Sequence, residues 1–185
     1  MARFLIAALL LGVAPFARAQ DTTLSQILID GEGWKKAEGR AVKPKTVDPL
    51  EVLGAGVWDG QAPTVAVRSP DGRTVFVGFG VSRAVWAYSA DGDADLATAA
   101  PYCPLQVRRG HGGGPVTGLA VDKHGRIYAA TEIGVQVFDS MGRLCGVLTP
   151  AAPGSAEALG FEGDRLTLWI GDAKYTRRLS TSGAK

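Results

Sequence analysis

From residue 62 onward the chain alternates short apolar runs with tight polar turns, and one arrangement occurs three times. Residues 64–69 (TVAVRS) pass through PDGR at 70–73 into residues 74–78 (TVFVG). Residues 117–122 (TGLAVD) pass through KHGR at 123–126 into residues 127–130 (IYAA). Residues 156–161 (AEALGF) pass through EGDR at 162–165 into residues 166–170 (LTLWI). Apolar, β-branched runs of this length bounded by turn residues predict strands. The Asp-Gly and His-Gly turns predict hairpins, because Gly72 and Gly125 accept positive φ without a Cβ clash. Arginine closes each turn, at Arg73, Arg126 and Arg165.

A third apolar run follows each pair: residues 85–88 (VWAY), 134–139 (GVQVFD) and 175–179 (YTRRL). A fourth is clear in the second unit, at 144–148 (LCGVL), and weaker in the first. The second unit therefore reads as a complete four-stranded antiparallel meander, the unit of a propeller blade. From Arg73 to Arg126 is 53 residues and from Arg126 to Arg165 is 39. Blades repeat every ~40–50 residues, so the longer interval implies an inserted loop. A β-sandwich also uses short strands, but nothing in it requires turn and strand motifs to recur in register. The expectation is an all-β fold, a partial β-propeller of about three four-stranded antiparallel meanders. Two of these blades are complete in the sequence, and the third has three visible strands.

The N-terminus reads as a processing signal. Arg3 precedes an apolar stretch at 4–16, and Ala17-Arg18-Ala19 gives an A-x-A site. The expected organisation is a signal peptide over 1–19, cleaved after Ala19, an irregular arm over 20–55, and a partial propeller domain over 56–185. An uncleaved anchor competes with this reading, but the apolar run is short for a bilayer span. Within the arm, residues 24–30 read as a short helix or strand, residues 35–45 as basic and turn-rich, and residues 51–58 as a partial strand from a preceding blade. The expected address is secreted or periplasmic, with no membrane anchor after cleavage.

Charge changes the picture once the signal is removed. The full chain has 20 basic and 18 acidic side chains, and residues 1–19 contain Arg3, Arg18 and no acid. The mature chain is thus neutral, and without a basic cluster no nucleic acid partner is expected. Hydrophobic residues at 46% permit a packed core. Cys103 and Cys145 lie in apolar, strand-like runs. An oxidising compartment permits a disulfide between them; two buried free thiols are the simpler reading. No C-x-x-C or second ligand pair suggests zinc.

Other candidate chemistry is sparse. His111 opens an H-G-G-G run like an esterase oxyanion loop, but no G-x-S-x-G elbow accompanies it, so an inter-blade loop is expected. Residues 91–95 (DGDAD) alternate carboxylates without the Gly and terminal acid of an EF-hand loop. His124 is expected to be exposed in a hairpin turn. Trp86, Trp169, Tyr88, Tyr128 and Phe138 are expected in the core. Asp122 and Asp139 end strands and should accept turn hydrogen bonds.

Residues 118–148 (GLAVDKHGRIYAATEIGVQVFDSMGRLCGVL) resemble the senescence marker protein, gluconolactonase and luciferin-regenerating-enzyme family, and the related NHL-type repeats. The first unit, SPDGRTVFVG followed by AVWAY, resembles it too, as does the LSQILIDGEGW start at 24–34. The resemblance covers about residues 62–180. It implies a six-bladed propeller with a divalent metal, often calcium, in the central channel, promoting lactone or ester hydrolysis. It also implies oxygen ligands: a glutamate in E-G-P, asparagines at starts of inner strands, and an aspartate in a P-D-G-like motif. Carried over, the asparagine position falls on Thr64 and the aspartate position on Thr117, and no E-G-P occurs. No catalytic residue and no metal ligand is therefore assigned; Thr64, His111 and Thr117 remain as channel-face or loop contacts.

Three blades make half of the implied ring. An open half-ring should expose two blade faces and a sizeable apolar patch. Two chains could pair by two-fold symmetry into a six-bladed homodimer, or the front blades are lost. The expected function is an exported binding or interaction module for a small molecule or protein, with no cofactor. The alternative is a calcium-dependent or other divalent-metal lactonase active as an assembled ring.

Overall fold

The structure is a computed structural model that describes residues 23–38, 43, 62–90 and 99–184. The signal segment 1–19, the partial strand at 51–58 and the acidic turn at 91–95 lie outside these residues. Twelve described strands form three four-stranded antiparallel sheets, as the repeat pattern predicts. Blade 1 comprises β2 (Pro63–Arg68), β3 (Thr74–Phe79), β4 (Ala84–Ser89) and β5 (Ala100–Pro104), paired in that order. Blade 2 comprises β6 (Gly118–Val121), β7 (Ile127–Thr131), β8 (Gly134–Phe138) and β9 (Leu144–Leu148). Blade 3 begins with β10 (Ala156–Glu162), β11 (Arg165–Ile170) and β12 (Ala173–Arg178).

The fourth strand of blade 3 comes from the other end of the chain. β1 (Lys35–Lys36) pairs antiparallel with β12, Lys35 opposite Thr176 and Lys36 opposite Tyr175. This supplies the fourth strand that the sequence left unseen in the third blade, and it sets a short strand within the 35–45 stretch read as basic and turn-rich. A two-residue, all-lysine strand has no hydrophobic period to announce it. Upstream, Leu24–Gln26 forms a 3-10 turn, and Leu28 bridges Leu179. The Ser180 amide donates to the Ile27 carbonyl at 3.0 Å, and the Trp34 indole donates to the Thr149 carbonyl at 2.9 Å. The N-terminal segment is thus tied to both blade 2 and blade 3.

The blades stack face to face, so their middle strands are apolar on both sides. Because side chains alternate along a strand, Ile127 and Ala129 of β7 join Phe138 of β8 and Phe76, Val85 and Cys103 of blade 1 in one cluster. Tyr128, Ala130, Val135 and Val137 face the other way and meet Leu159, Leu166 and Leu168 of blade 3. Ile27 and Leu179 complete that second cluster. Each large apolar side chain buried here stabilises the fold by roughly 1.5–3 kcal/mol. The Tyr128 and Phe161 rings meet edge to face, 5.1 Å between centroids, across the blade 2–blade 3 contact. The inner strands approach too closely for side chains at two points. A Cβ on Gly78 would lie 2.6 Å from the Val116 Cβ, and one on Gly118 would lie 2.7 Å from the Leu159 nitrogen.

The apolar patch expected of an open half-ring is not found among the described residues. Their exposed large hydrophobic side chains are Val81 and Met141. Val75 and Val77, on the face of blade 1 turned away from blade 2, are 0% exposed. On the outward side of blade 3, Trp169 is 1% exposed, with the Lys174 ammonium 5.6 Å above its ring.

The C-terminal tail recrosses the molecule. Beyond blade 3 it lies along the free edge of β6, the inner strand of blade 2: Gly183 bridges Asp122, and the Ala184 amide donates to the Val121 carbonyl. A Cβ on Gly183 would sit 2.4 Å from the Phe161 Cβ, so the tail fits against blade 3 only as glycine.

Candidate functional site

In each meander the first hairpin turn lies at one end of the blade, and the inner-strand start and second turn lie at the other. The positions that the family resemblance assigns to metal ligands are at the second end. Thr64 is the bulged residue of β2, between the pairs Pro63–Phe79 and Val65–Gly78. A bulge re-aims its side chain, and here the hydroxyl turns to backbone. It donates to the Val116 carbonyl at 2.7 Å, shared with the Gly78 carbonyl at 3.1 Å. Thr64 thereby ties the inner strand of blade 1 to the entry of blade 2. Thr117 precedes β6, and its amide donates to the Ala130 carbonyl at 3.0 Å. Its hydroxyl lies 3.4 Å from that same carbonyl.

The third inner strand carries a residue that the sequence comparison missed. β10 has a bulge between Ala156 and Ala158, which puts Glu157 where blade 1 has Thr64. Aligning the repeats by simple counting sets Ala156 at that position. The third hairpin turn, only Gly163 and Asp164 between β10 and β11, was the signal that the count changes. Glu157 is ion-paired with Lys43. That bond, together with the Lys43 charge, holds its carboxyl below the ordinary glutamate range.

His111 comes to a different part of the same end. Its Nδ1 lies 3.4 Å from Glu132 Oε1. Arg108 Nη2 lies 3.4 Å from the Glu132 carbonyl, and its Nε lies 3.9 Å from Glu132 Oε2. Glu132, in the β7–β8 turn, was not singled out in the sequence; its partner is 21 residues away in an irregular loop. The glycines after His111 have a packing reason. A Cβ on Gly113 would meet the Ser82 carbonyl oxygen at 3.0 Å. Gly114 exchanges two backbone hydrogen bonds with Ser82. The H-G-G-G run is an inter-blade loop, pinned at its start where Gln136, itself fully buried, pairs with the Gln106 backbone in both directions at 2.8 Å.

This donor set does not fit a hard divalent cation, which takes six to eight oxygens including carboxylates. Thr64 offers one neutral hydroxyl oxygen, turned toward the Val116 and Gly78 carbonyls by the bonds it donates, and Glu157 is neutralised by Lys43. Among the described residues no group of three or more His, Cys, Asp or Glu side chains could hold a metal ion.

At the opposite end, acidic caps organise the turns. Asp122, 0% exposed, accepts from the His124 and Arg126 amides through Oδ1. Its Oδ2 accepts from Arg126 Nη1, the Tyr128 hydroxyl and the Thr181 hydroxyl. Asp139 accepts from the Met141 and Arg143 amides and from Arg143 Nε. Burial acts to raise the Asp139 carboxyl, but those amides and the guanidinium outweigh it and leave it below the ordinary range. Both aspartates have the turn-capping role expected of them. His124 is exposed, as expected.

Cys103 and Cys145 are free thiols. Cys103 belongs to the blade 1–blade 2 cluster, whereas Cys145 packs against the blade 2–blade 3 cluster, so the disulfide left open by the sequence is not formed. Burial, with the Asp139 charge, pushes Cys103 up to about 12.

The described residues form a partial β-propeller of three blades. A gluconolactonase of Xanthomonas campestris is similar to the chain: 28% identical, with a TM-score of 0.50, over 63% of this chain and 37% of that one. A second structure assigned as a gluconolactonase is 21% identical over 66% of this chain and 40% of that one, with a TM-score of 0.49. A computationally designed protein is 16% identical over 67% and 68% of the two chains, with a TM-score of 0.46. The chain spans about two fifths of the length of the two gluconolactonase structures. No family profile and no curated protein matches the chain. The gluconolactonase resemblance read from the repeats is thus met by the blades themselves.

Proposed function

We propose that the chain is an exported binding module on gluconolactonase-type blades, without that lineage's metal-dependent hydrolysis. The observation that carries this reading is Thr64. At the position where the resemblance calls for a metal ligand, its hydroxyl is committed to the Val116 and Gly78 carbonyls. A single neutral hydroxyl is a weaker ligand for a hard cation than the asparagine or carboxylate oxygen expected there, and the bonds it donates keep it turned toward backbone. Export rests on the residue pattern at 1–19, and the secreted or periplasmic address follows from it.

Glu157 favours the alternative, a calcium-dependent lactonase working as an assembled ring, because it places one carboxylate at an inner-strand bulge. Calorimetric titration of the protein with calcium and zinc, alongside hydrolysis of glucono-δ-lactone, separates the two. The binding module predicts no stoichiometric metal and no turnover above the buffer rate. Stoichiometric metal with turnover abolished by Glu157→Gln would establish the lactonase instead. Mass spectrometry of the N-terminus of the periplasmic fraction tests export: a chain beginning at Gln20 supports it, and retention of residues 1–19 refutes it.

A further inference from the structure

We propose that the groove between blades 1 and 2, at the first-hairpin end, is a binding site for a neutral saccharide ring. It is a concavity of about 400 Å³, within the size range of small-molecule sites. It stands apart from the inner-strand starts that carry Thr64 and Glu157, so it holds whether or not those starts bind a cation.

One half-buried aromatic ring, Tyr102, lines it, backed by the buried ring of Phe76. Phe76 of β3 and Tyr102 of β5 are 5.6 Å apart at a tilt of 35°. The Tyr102 hydroxyl donates to the Ser140 carbonyl at 2.7 Å, which fixes the ring without using a ligand. The walls are the two first-hairpin turns. Blade 1 contributes Asp71, whose Oδ1 accepts from the Ser69 hydroxyl and the Arg73 amide. Its Oδ2 makes no hydrogen bond among the described residues. Blade 2 contributes Lys123 and His124, both exposed, whose side chains make no hydrogen bond or ion pair among the described residues.

What makes this a built site is the support behind it. The Lys123–Gly125 turn is the one that Asp122 caps, and Asp122 is the most heavily bonded carboxylate among the described residues. The C-terminal tail braces the same turn from behind: the Lys123 amide donates to the Ser182 carbonyl at 2.9 Å. Asp139 caps the adjoining turn that carries Ser140. Groups held on rigid turns by a supporting shell are preorganised for a ligand.

Charge selects the class. An anion would meet the Asp71 carboxylate, and a cation would meet Lys123. A neutral ligand with both donors and acceptors satisfies the two walls together. Its apolar side must cover the aromatic surface of Tyr102, as the face of a pyranose does. Asp122 and Asp139 are positioning residues in this scheme, and Asp71, Lys123 and His124 are the contacts.

The test is an ¹⁵N–¹H NMR titration of the mature chain with methyl glucopyranosides, methyl galactopyranosides, N-acetylglucosamine and cellobiose. Saturable shifts in the amides of residues 71–74, 102 and 123–125, with a Kd near or above about 1 mM, are the expected result. Asp71→Asn and Lys123→Gln should each weaken binding about tenfold while leaving the spectrum away from the 69–74 and 122–126 turns unchanged. Absence of saturable shifts with every sugar to about 50 mM would overturn the proposal. So would shifts confined to the Thr64–Thr117 end. Binding of glucuronate alone, lost in Lys123→Gln but not in Asp71→Asn, would replace it with an anion site.

Discussion

Replacing Asp122 by alanine removes the acceptor for five donors, and the structure sorts them by what can replace it. The His124 amide lies on an exposed residue of the turn, where water can take over at little net cost, and the half-buried Arg126 keeps partial access to water. The Tyr128 hydroxyl, on a residue 0% exposed, and the Thr181 hydroxyl, on one 4% exposed, have no such recourse. A buried donor left without a partner costs about 1–3 kcal/mol. Two such donors, with some relaxation, put Asp122→Ala at about 3–5 kcal/mol, a large fraction of a domain's usual stability of ~5–15 kcal/mol. Asp122→Asn retains an oxygen for the two amides, and both hydroxyls can rotate to accept from its new N–H groups. It loses the charge opposite Arg126 and should cost only about 1–2 kcal/mol. Urea unfolding followed by circular dichroism gives both numbers from the shift in midpoint at constant slope. The assignment of cost is tested by a cycle with Tyr128→Phe: in that background Asp122→Ala should cost about 1–2 kcal/mol less. An Asp122→Ala variant within about 1 kcal/mol of the parent would refute the reasoning, since the buried hydroxyls would then be satisfied without the carboxylate.

Ending the chain at Ser180 removes the tail's bonds to Val121, Asp122 and Lys123. It should cost about 2–3 kcal/mol and accelerate amide hydrogen exchange at Lys123 first. Gly118→Ala forces a Cβ against the backbone and side chain of Leu159 and should destabilise by about 1–3 kcal/mol in thermal unfolding, with no gain in unfolding cooperativity. The Asp139 carboxyl has a folded pKa below its unfolded value. Its contribution to stability is present in full above about pH 4 and fades as pH falls through the folded value; Asp139→Asn should flatten the stability–pH curve only there. Cys103, buried and held as the thiol, should resist Ellman's reagent at pH 8 in the native protein and react at once in guanidinium; native labelling of Cys103 would show that the blade 1–blade 2 core opens.

Local pattern carried the blades. The hairpins at 69–74, 122–127 and 162–165 are contained within about a dozen residues each, and alternation plus glycine turns suffices to read them. The same locality made Asp122 and Asp139 readable as caps, because each meets amides two and four residues on. What escaped depends on distant pairing. Lys35 finds its strand partner at Thr176, Tyr128 shares Asp122 with Thr181, and the groove needs Asp71 and His124 from different blades. Glu157 escaped for another reason: a single-residue bulge changes which side chain stands at the inner-strand start while the hydrophobic pattern is nearly unchanged.

The strand made by Lys35 and Lys36 has a consequence for the order in which the chain can fold. Blades 1 and 2 are built from neighbours in sequence and can close as soon as their own strands exist. Blade 3 needs β1 and β12 together, which lie about 140 residues apart in sequence. Its closure has the longest loop to bring round, so it should be the slowest step and the latest. Until then the apolar side of β7 and β8 that meets Leu159, Leu166 and Leu168 has no cover. Loss of either β1 or β12 therefore attacks the same blade, and a chain with blade 3 unclosed carries its stickiest surface at that junction.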